Sequence, residues 1–282
     1  MSTMMTHPHG QDAQAVFPGA LGARSGFRTP VVECRDVVKR FYRYEHRTRT
    51  MREFFIRSVL RRPIHVRQAH FTLEQFDLAV YRGDALALVG GNGSGKSTAL
   101  RLIAGIYTPT QGTVETRGRI SAIIDLGVGF HPELTGVENI VQHAAIMGFS
   151  RRQAAARLDE IVEFAGIGAF VHEPIKYYSS GMHARLAFAT AVLCARPDIL
   201  LVDEVLVVGD HAFQEQCLHH LQRFREAGGT MIIVSHDEAI VRELCERAVW
   251  LDNGRVCMNG RTADVLDAYH AALGRPALPA AG

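Results

Sequence analysis

Gly90-Gly91-Asn92-Gly93-Ser94-Gly95-Lys96-Ser97-Thr98 is the stretch that decides how this chain is read. It satisfies the pattern GxxxxGK[ST]. It follows a short apolar run, Ala85-Leu86-Ala87-Leu88-Val89, and precedes a helix that starts Ala99-Leu100-Arg101-Leu102-Ile103. That context is what a phosphate-binding loop requires. Glycines let successive backbone N–H groups turn inward toward phosphate oxygens. The helix that follows aims its positive end at the same anion. Lys96 can bridge the β- and γ-phosphates of a nucleoside triphosphate, and the Ser97 hydroxyl can ligate Mg²⁺. Gly90, Asn92, Gly93, Ser94, Gly95, Lys96, Ser97 and Thr98 are therefore candidate binding residues.

Two later segments supply the chemistry such a loop needs. Ile199-Leu200-Leu201-Val202 reads as a buried strand and ends in Asp203-Glu204, about 107 residues after Lys96. Asp203 is the candidate Mg²⁺ ligand, and Glu204 the candidate general base for an attacking water. Val234-Ser235-His236-Asp237 ends another apolar run, which places His236 on the same sheet edge, in reach of the γ-phosphate or the water.

Outward from these segments, the composition is that of an ordinary globular protein. The chain has 282 residues, 47% apolar and 21% charged, which excludes wholesale disorder. A formal net charge of +2 gives no bulk-charge reason to expect nucleic acid as a partner. Cys34, Cys194, Cys217, Cys245 and Cys257 form no CxxC pair, so neither a disulfide framework nor a structural zinc site is expected. The N-terminus lacks the apolar core of a signal peptide, and no run reaches the roughly 18–20 apolar residues of a membrane span. A cytosolic protein is expected, with any membrane role exercised through another chain.

Along the chain, residues 1–29 read as a disordered tail and order is expected from about Val31. An arginine-rich insert at about 43–67 carries capping-box spacing at Thr50-Met51-Arg52-Glu53, followed by an apolar stripe of Met51, Phe54, Phe55 and Val59. This predicts a short basic amphipathic helix that either packs on its own domain or meets a partner or membrane surface. Strands are expected at Ile120–Asp125, Ile199–Val202 and Met231–Ser235, and residues 136–196 read as helical. Ala248–Leu251 and Arg255–Met258 flank the turn Asp252-Asn253-Gly254. A last helix spans about Thr262–Ala272, and residues 273–282 form a loose tail.

At this point the chain resembles the nucleotide-binding subunit of ATP-binding-cassette (ABC) transporters over roughly residues 31–271. The diagnostic stretch is Tyr178-Ser179-Ser180-Gly181-Met182, which stands where that family has its LSGGQ signature. The resemblance implies an α/β fold: a P-loop NTPase core with a mostly parallel sheet, an antiparallel β subdomain and a helical subdomain at about 136–196, together forming one nucleotide-binding domain over 30–272. It implies ATP and Mg²⁺ as cofactors and a homodimer that sandwiches two nucleotides. Tyr178, Ser179, Ser180 and Gly181 of one copy would then grip the γ-phosphate held by the other. Asp210 falls where the family has an aspartate that communicates across the dimer. Phe41, with Tyr42 as its competitor, falls where an aromatic ring stacks on adenine. Two positions depart from the family pattern. Met182 replaces the signature glutamine. The loop Gly127–Gly136, which in the family presents a glutamine to Mg²⁺ and to the membrane partner, holds no glutamine, and His131 is the candidate for that position.

The segments LGVGFHPELTGVENI, PIKYYSSGMHARLAFA and VDEVLVVGDHAFQEQC further resemble ATPases that export lipid-linked polysaccharides such as O-antigen, capsule and teichoic acid. This resemblance implies an ATP hydrolase, peripheral on the cytoplasmic face of the inner membrane, that drives an integral membrane permease made as a separate chain. Another ABC exporter, of lipid or drug, is the alternative, and a soluble non-transport ABC-type ATPase a more distant one. The tail lacks a periodic apolar face, so deleting residues 1–28 is expected to leave ATP turnover within about twofold of the intact chain in a phosphate-release assay.

Overall fold

Strands β3 (Ala85–Val89), β6 (Ile199–Asp203) and β7 (Thr230–Val234) are buried along their whole length, which is why each reads as a nearly unbroken apolar run rather than an alternating one. The computed structural model describes residues 29–44, 66–124, 126–194, 197–204 and 209–274. In it these strands lie side by side in a six-stranded sheet of order β5-β6-β7-β3-β8-β9. β5 (Ile120–Ile123) forms one edge, and β8 (Arg247–Asp252) and β9 (Arg255–Arg261) the other. Pairing is parallel from β5 to β8, and β9 returns antiparallel along β8 through Asn253-Gly254.

A second sheet is antiparallel, in the order β2-β1-β4, made of β1 (Val32–Tyr44), β2 (Val66–Val80) and β4 (Gln111–Thr116). Residues 43–44 and 66–67, at the two ends of the arginine-rich segment, are paired strand. The expected helix starting at Met51 lies outside the described residues, as do the tail 1–28, Asp125 and residues 275–282.

Helix α1 (Lys96–Ile103) sits between the two sheets. Its Ala99, Leu100, Leu102 and Ile103 join one apolar cluster with Leu86, Leu88, Ile232 and Val234 from the main sheet and Val37, Leu73 and Phe76 from the small one. Alternate residues of the same strands, Ala87, Val89, Val202 and Ile233, point to the other face and a second cluster. The helices α2 (Gly136–Ile146), α3 (Arg151–Ala155), α4 (Leu158–Ala165), α5 (Ser180–Leu193) and α6 (His211–Glu226) all contribute to this second cluster. So do α7 (Glu238–Leu244) and α8 (Thr262–Ala272).

Local chemistry explains the helix starts. Thr135 with Glu138 and Ser150 with Gln153 each form a reciprocal capping box. The apolar face of α4 buries Ile161 and Ala165, with Leu158 and Val162 packed beside them. Helix α5 is apolar on all sides from Leu186 to Leu193 and is buried accordingly. An α/β architecture with a mostly parallel sheet, an antiparallel subdomain and a helical region is what the sequence implied.

Because α1 is clamped between two sheets, trimming it leaves a cavity that neither sheet can close. Leu100→Ala, at a fully buried position, is expected to lower unfolding free energy by about 2–5 kcal/mol, read from urea denaturation.

Candidate functional site

The phosphate-binding loop is built where β3 ends and α1 begins. Lys96 is 5% exposed, and its Nζ donates to Gly90 O at 2.8 Å and Gly91 O at 2.9 Å, so the loop wraps its own ammonium. Burial pushes the Lys96 amine below its ordinary range, and the nearby Glu204 and Asp203 charges pull against that shift. Gly95 is the N-cap of α1 and adopts a left-handed conformation, φ 106°. A Cβ there would stand 2.5 Å from Thr72 O, so only glycine fits. Since Gly95 has no side chain to cap the helix, the first-turn amides of α1 are left for an anion. Ser94 Oγ is buried with no partner. These features suit a bound polyphosphate. The β8–β9 turn props the loop from below, with Gly254 N donating to Ser94 O at 3.0 Å. The sequence reading saw that turn only as a hairpin.

The acidic and histidine residues arrive on adjacent strands. Asp203 ends β6 opposite Val234 of β7. It is 8% exposed, and Ser97 Oγ donates to its Oδ1 at 3.2 Å. One hydroxyl and one carboxylate side by side make an oxygen donor set that fits Mg²⁺. Glu204 leaves the strand with φ 47°, a left-handed conformation uncommon for a non-glycine residue. Its N–H donates to Val234 O at 2.8 Å, which holds that turn. The turn sends the Glu204 carboxylate outward, and its Oε1 meets His236 Nε2 at 2.9 Å. Such strain, of about 1–3 kcal/mol, persists only where surrounding contacts enforce it. The structure thus gathers Lys96, Ser97, Asp203, Glu204 and His236 at one edge of the sheet.

The signature-like residues stand apart from this group, at the N-terminus of α5. Ser179 is its N-cap, and its Oγ accepts from Met182 N at 3.2 Å. Ser179 and Ser180 are exposed. The Tyr178 hydroxyl donates to Phe170 O at 2.7 Å, and burial pushes its pKa up to about 12, so it stays a donor at neutral pH. Asp210 caps α6 through Oδ1, which accepts from Phe213 N at 3.0 Å. Its Oδ2 faces Arg185 of α5 at 3.5 Å, and that guanidinium lies 5.1 Å from the Phe213 ring centre. Arg185 was missed from sequence; its signal is a lone charge where α5 turns wholly apolar.

His131 lies on the loop before α2. Its ring Nδ1 accepts from Glu133 N at 3.3 Å, and its backbone N–H donates to Asn139 Oδ1 at 2.6 Å. Asn139 is fully buried and also donates to the carbonyls of His131, Leu134 and Thr135, so it shapes the whole loop. A buried polar residue among the apolar positions of α2 is the clue that could have found it. The same loop packs on the start of α5. A Cβ on Gly127 would stand 2.2 Å from His183 Cε1, and the Phe130 ring meets His183 at 5.5 Å and His143 at 5.6 Å. Burial holds both imidazoles below their ordinary range, which keeps them neutral at pH 7. Phe41 is 38% exposed, edge-on to Tyr107 at 5.3 Å, with Lys39 Nζ 4.9 Å from its ring centre. Sequence reading did not include Tyr107; the Tyr42 side chain lies outside those described. A cavity of about 1120 Å³ opens well away from the phosphate loop, between β5 and helices α2 and α3, with exposed Ile146 in its lining.

The family profile described as "ABC transporter" matches residues 73–207. The chain is 38% identical over 244 residues to the O-antigen export system ATP-binding protein RfbB of Klebsiella pneumoniae, covering 86% of this chain and 99% of that protein. It is 46% identical over 201 residues to the ABC transporter protein AbcA of Aeromonas salmonicida, covering 71% and 65%. Among solved structures, it resembles the dimeric post-hydrolysis state of the ATP-binding cassette MJ0796 bound to ADP and Pi, with TM-score 0.65 and 23% identity over 82% of this chain and 98% of that one.

The crowding at the loop makes a direct test. Gly95→Ala combines positive φ with a clash against the Thr72 carbonyl. It is expected to cost about 1–3 kcal/mol in a urea melt and to abolish phosphate binding at the loop in a titration with a fluorescent nucleotide.

Proposed function

The chain belongs to the ABC transporter family, and on that premise we propose that it is the ATP-hydrolysing subunit of an exporter of lipid-linked polysaccharide. It works as a homodimer and drives a separate membrane permease from the cytoplasmic face of the inner membrane. The observation that carries the hydrolytic reading is the Glu204–His236 contact of 2.9 Å, held at the ends of two paired strands beside the Lys96 loop.

In this reading the amides of the phosphate loop and the Lys96 ammonium bind the β- and γ-phosphates of ATP. Ser97 and Asp203 would hold Mg²⁺, which would supply positive charge to the phosphate oxygens. Glu204 accepts a proton from the attacking water. His236 keeps that carboxylate in place and offers its ring to the γ-phosphate. The Phe41 ring, steadied by Tyr107 and Lys39, stacks on adenine.

Dimerisation is supported by the exposed position of Ser179 and Ser180 at the N-terminus of α5, apart from the chain's own phosphate loop. A second copy would complete each site by bringing these residues, with the positive end of that helix, to the γ-phosphate. A separate permease is supported by the absence, among the described residues, of any helix long and apolar enough to cross a membrane. The loop bearing His131 and the neighbouring apolar positions Val128 and Ile146, both about two-thirds exposed, suit contact with that permease. The polysaccharide cargo is supported by the likeness to the Klebsiella export protein across nearly all of that protein's length.

Three measurements test this reading. Glu204→Gln removes the base but not the phosphate grip, so kcat is expected to fall at least about 10²-fold while MgATP still binds. Turnover near wild type would overturn the base assignment. Mixed dimers of a Lys96→Ala chain with a Ser179→Arg chain are expected to retain at most one working site, with turnover to match; full activity would exclude the shared-site dimer. Ile146→Asp, placed on the surface assigned to the permease, is expected to strand polymer inside the cell while ATPase activity of the purified subunit is kept. Normal surface polysaccharide in cells carrying it would remove that surface from the interface.

A further inference from the structure

One ionisable pair, a buried histidine against a part-buried glutamate, takes no part in the chemistry above. His270, in α8, is 5% exposed, and its Nε2 meets Glu238 Oε1 at 2.5 Å. The remaining polar atoms of the pair, His270 Nδ1 and Glu238 Oε2, are buried without partners. Leaving buried polar atoms unpaired is costly, and an apolar contact between the same two helices would not incur that cost. The pair therefore does something that packing alone would not.

Its place in the chain indicates what. Glu238 is the first residue of α7 and stands two residues after His236. The intervening Asp237 accepts from Ala239 N and Ile240 N, and its own N–H donates to Ser235 Oγ, so residues 235–240 move as one turn. Helix α7 has seven residues, too few to hold its own direction, so its neighbours set it. At its C-terminal end α6 holds it, through Arg225 on Glu243 O and Gln222 on the Glu243 carboxylate. At the end that carries His236, α8 holds it through His270, while Arg242 in the last turn of α7 faces Asp267 of α8 at 3.6 Å. Helix α8 is itself anchored by buried Val265 and Leu266 and by Thr262 Oγ1, which donates to Cys245 O at 2.6 Å. The Trp250 and Tyr269 rings, 5.7 Å apart, brace it against β8.

We propose that His270 is a positioning residue for hydrolysis: through Glu238 it sets where His236 stands against Glu204, so that the C-terminal helix tunes ATP turnover without touching nucleotide. This rests on the roles given to His236 and Glu204 above.

The test uses the full chain with His270→Ala and with His270→Gln, whose amide can still donate to Glu238. For His270→Ala, kcat is expected to fall by roughly fivefold, with KM for ATP and nucleotide affinity unchanged. His270→Gln is expected to recover most of that loss. Added to His236→Ala, the alanine variant is expected to cause no further fall, because both changes act on one contact. Amide exchange over residues 235–240 is expected to quicken in His270→Ala. A wild-type kcat, a parallel loss of affinity, or an additive effect on the His236→Ala background would overturn the proposal. Should His270→Ala fail to fold, Glu238→Ala, which removes the acceptor, takes its place with the same expectations, and unchanged kcat and exchange there would overturn it. Should the wild-type chain hydrolyse no ATP, the functional reading falls, and the exchange measurement alone decides the role of His270.

Discussion

Parallel pairing of β6, β7 and β3 is the constraint on which the rest of the molecule depends. Strands that run the same way in register end at the same edge. Val89, Asp203 and Val234 therefore deliver Lys96, Glu204 and His236 to one place, although about 140 residues separate Lys96 from His236. The strands can be this apolar because helices cover one face of the sheet, and α1 with the small antiparallel sheet covers the other. The site is thus a by-product of burial: its polar residues sit where the buried apolar runs of the parallel strands end.

The electrostatics of the site follow from that edge position. Lys96 pays a desolvation penalty that the loop carbonyls and two nearby carboxylates only partly offset. Asp203 remains inside beside Ser97, whereas the left-handed turn at Glu204 sends the next carboxylate outward to His236. Two adjacent acidic residues thereby acquire different surroundings, one suited to a cation and one to a water. A strand that simply continued would have pointed Glu204 into the opposite face instead.

The helical region ties distant parts of the cassette to the signature helix. The first turn of α5 receives the loop at Gly127 through His183, and Arg185, just beyond it, reaches Asp210 at the start of α6. The loop assigned to the permease, the residues assigned to the dimer contact and the helix after the catalytic strand therefore meet on one rigid element. On the far side of the sheet edge, α8 does the equivalent for His236 through His270.

Much of this was legible in the sequence, for a physical reason that separates what was from what was not. The phosphate loop, the two strand-ending carboxylates and the β8–β9 turn depend on backbone rules that act within a few residues, so spacing alone determined them. The α/β architecture followed, because unbroken apolar runs separated by helical periods can be buried only in a covered parallel sheet. The resemblance to ABC cassettes added the signature and its partners. What only the tertiary structure decided are contacts between residues far apart in the chain: Asn139 shaping the His131 loop, Arg185 bridging to Asp210, Gly254 under Ser94 and His270 on Glu238. Each is one residue with no periodic or motif signal, and its partner depends on strand order and helix packing. Those are set by how the whole chain buries its apolar surface, and no local stretch of sequence contains that information.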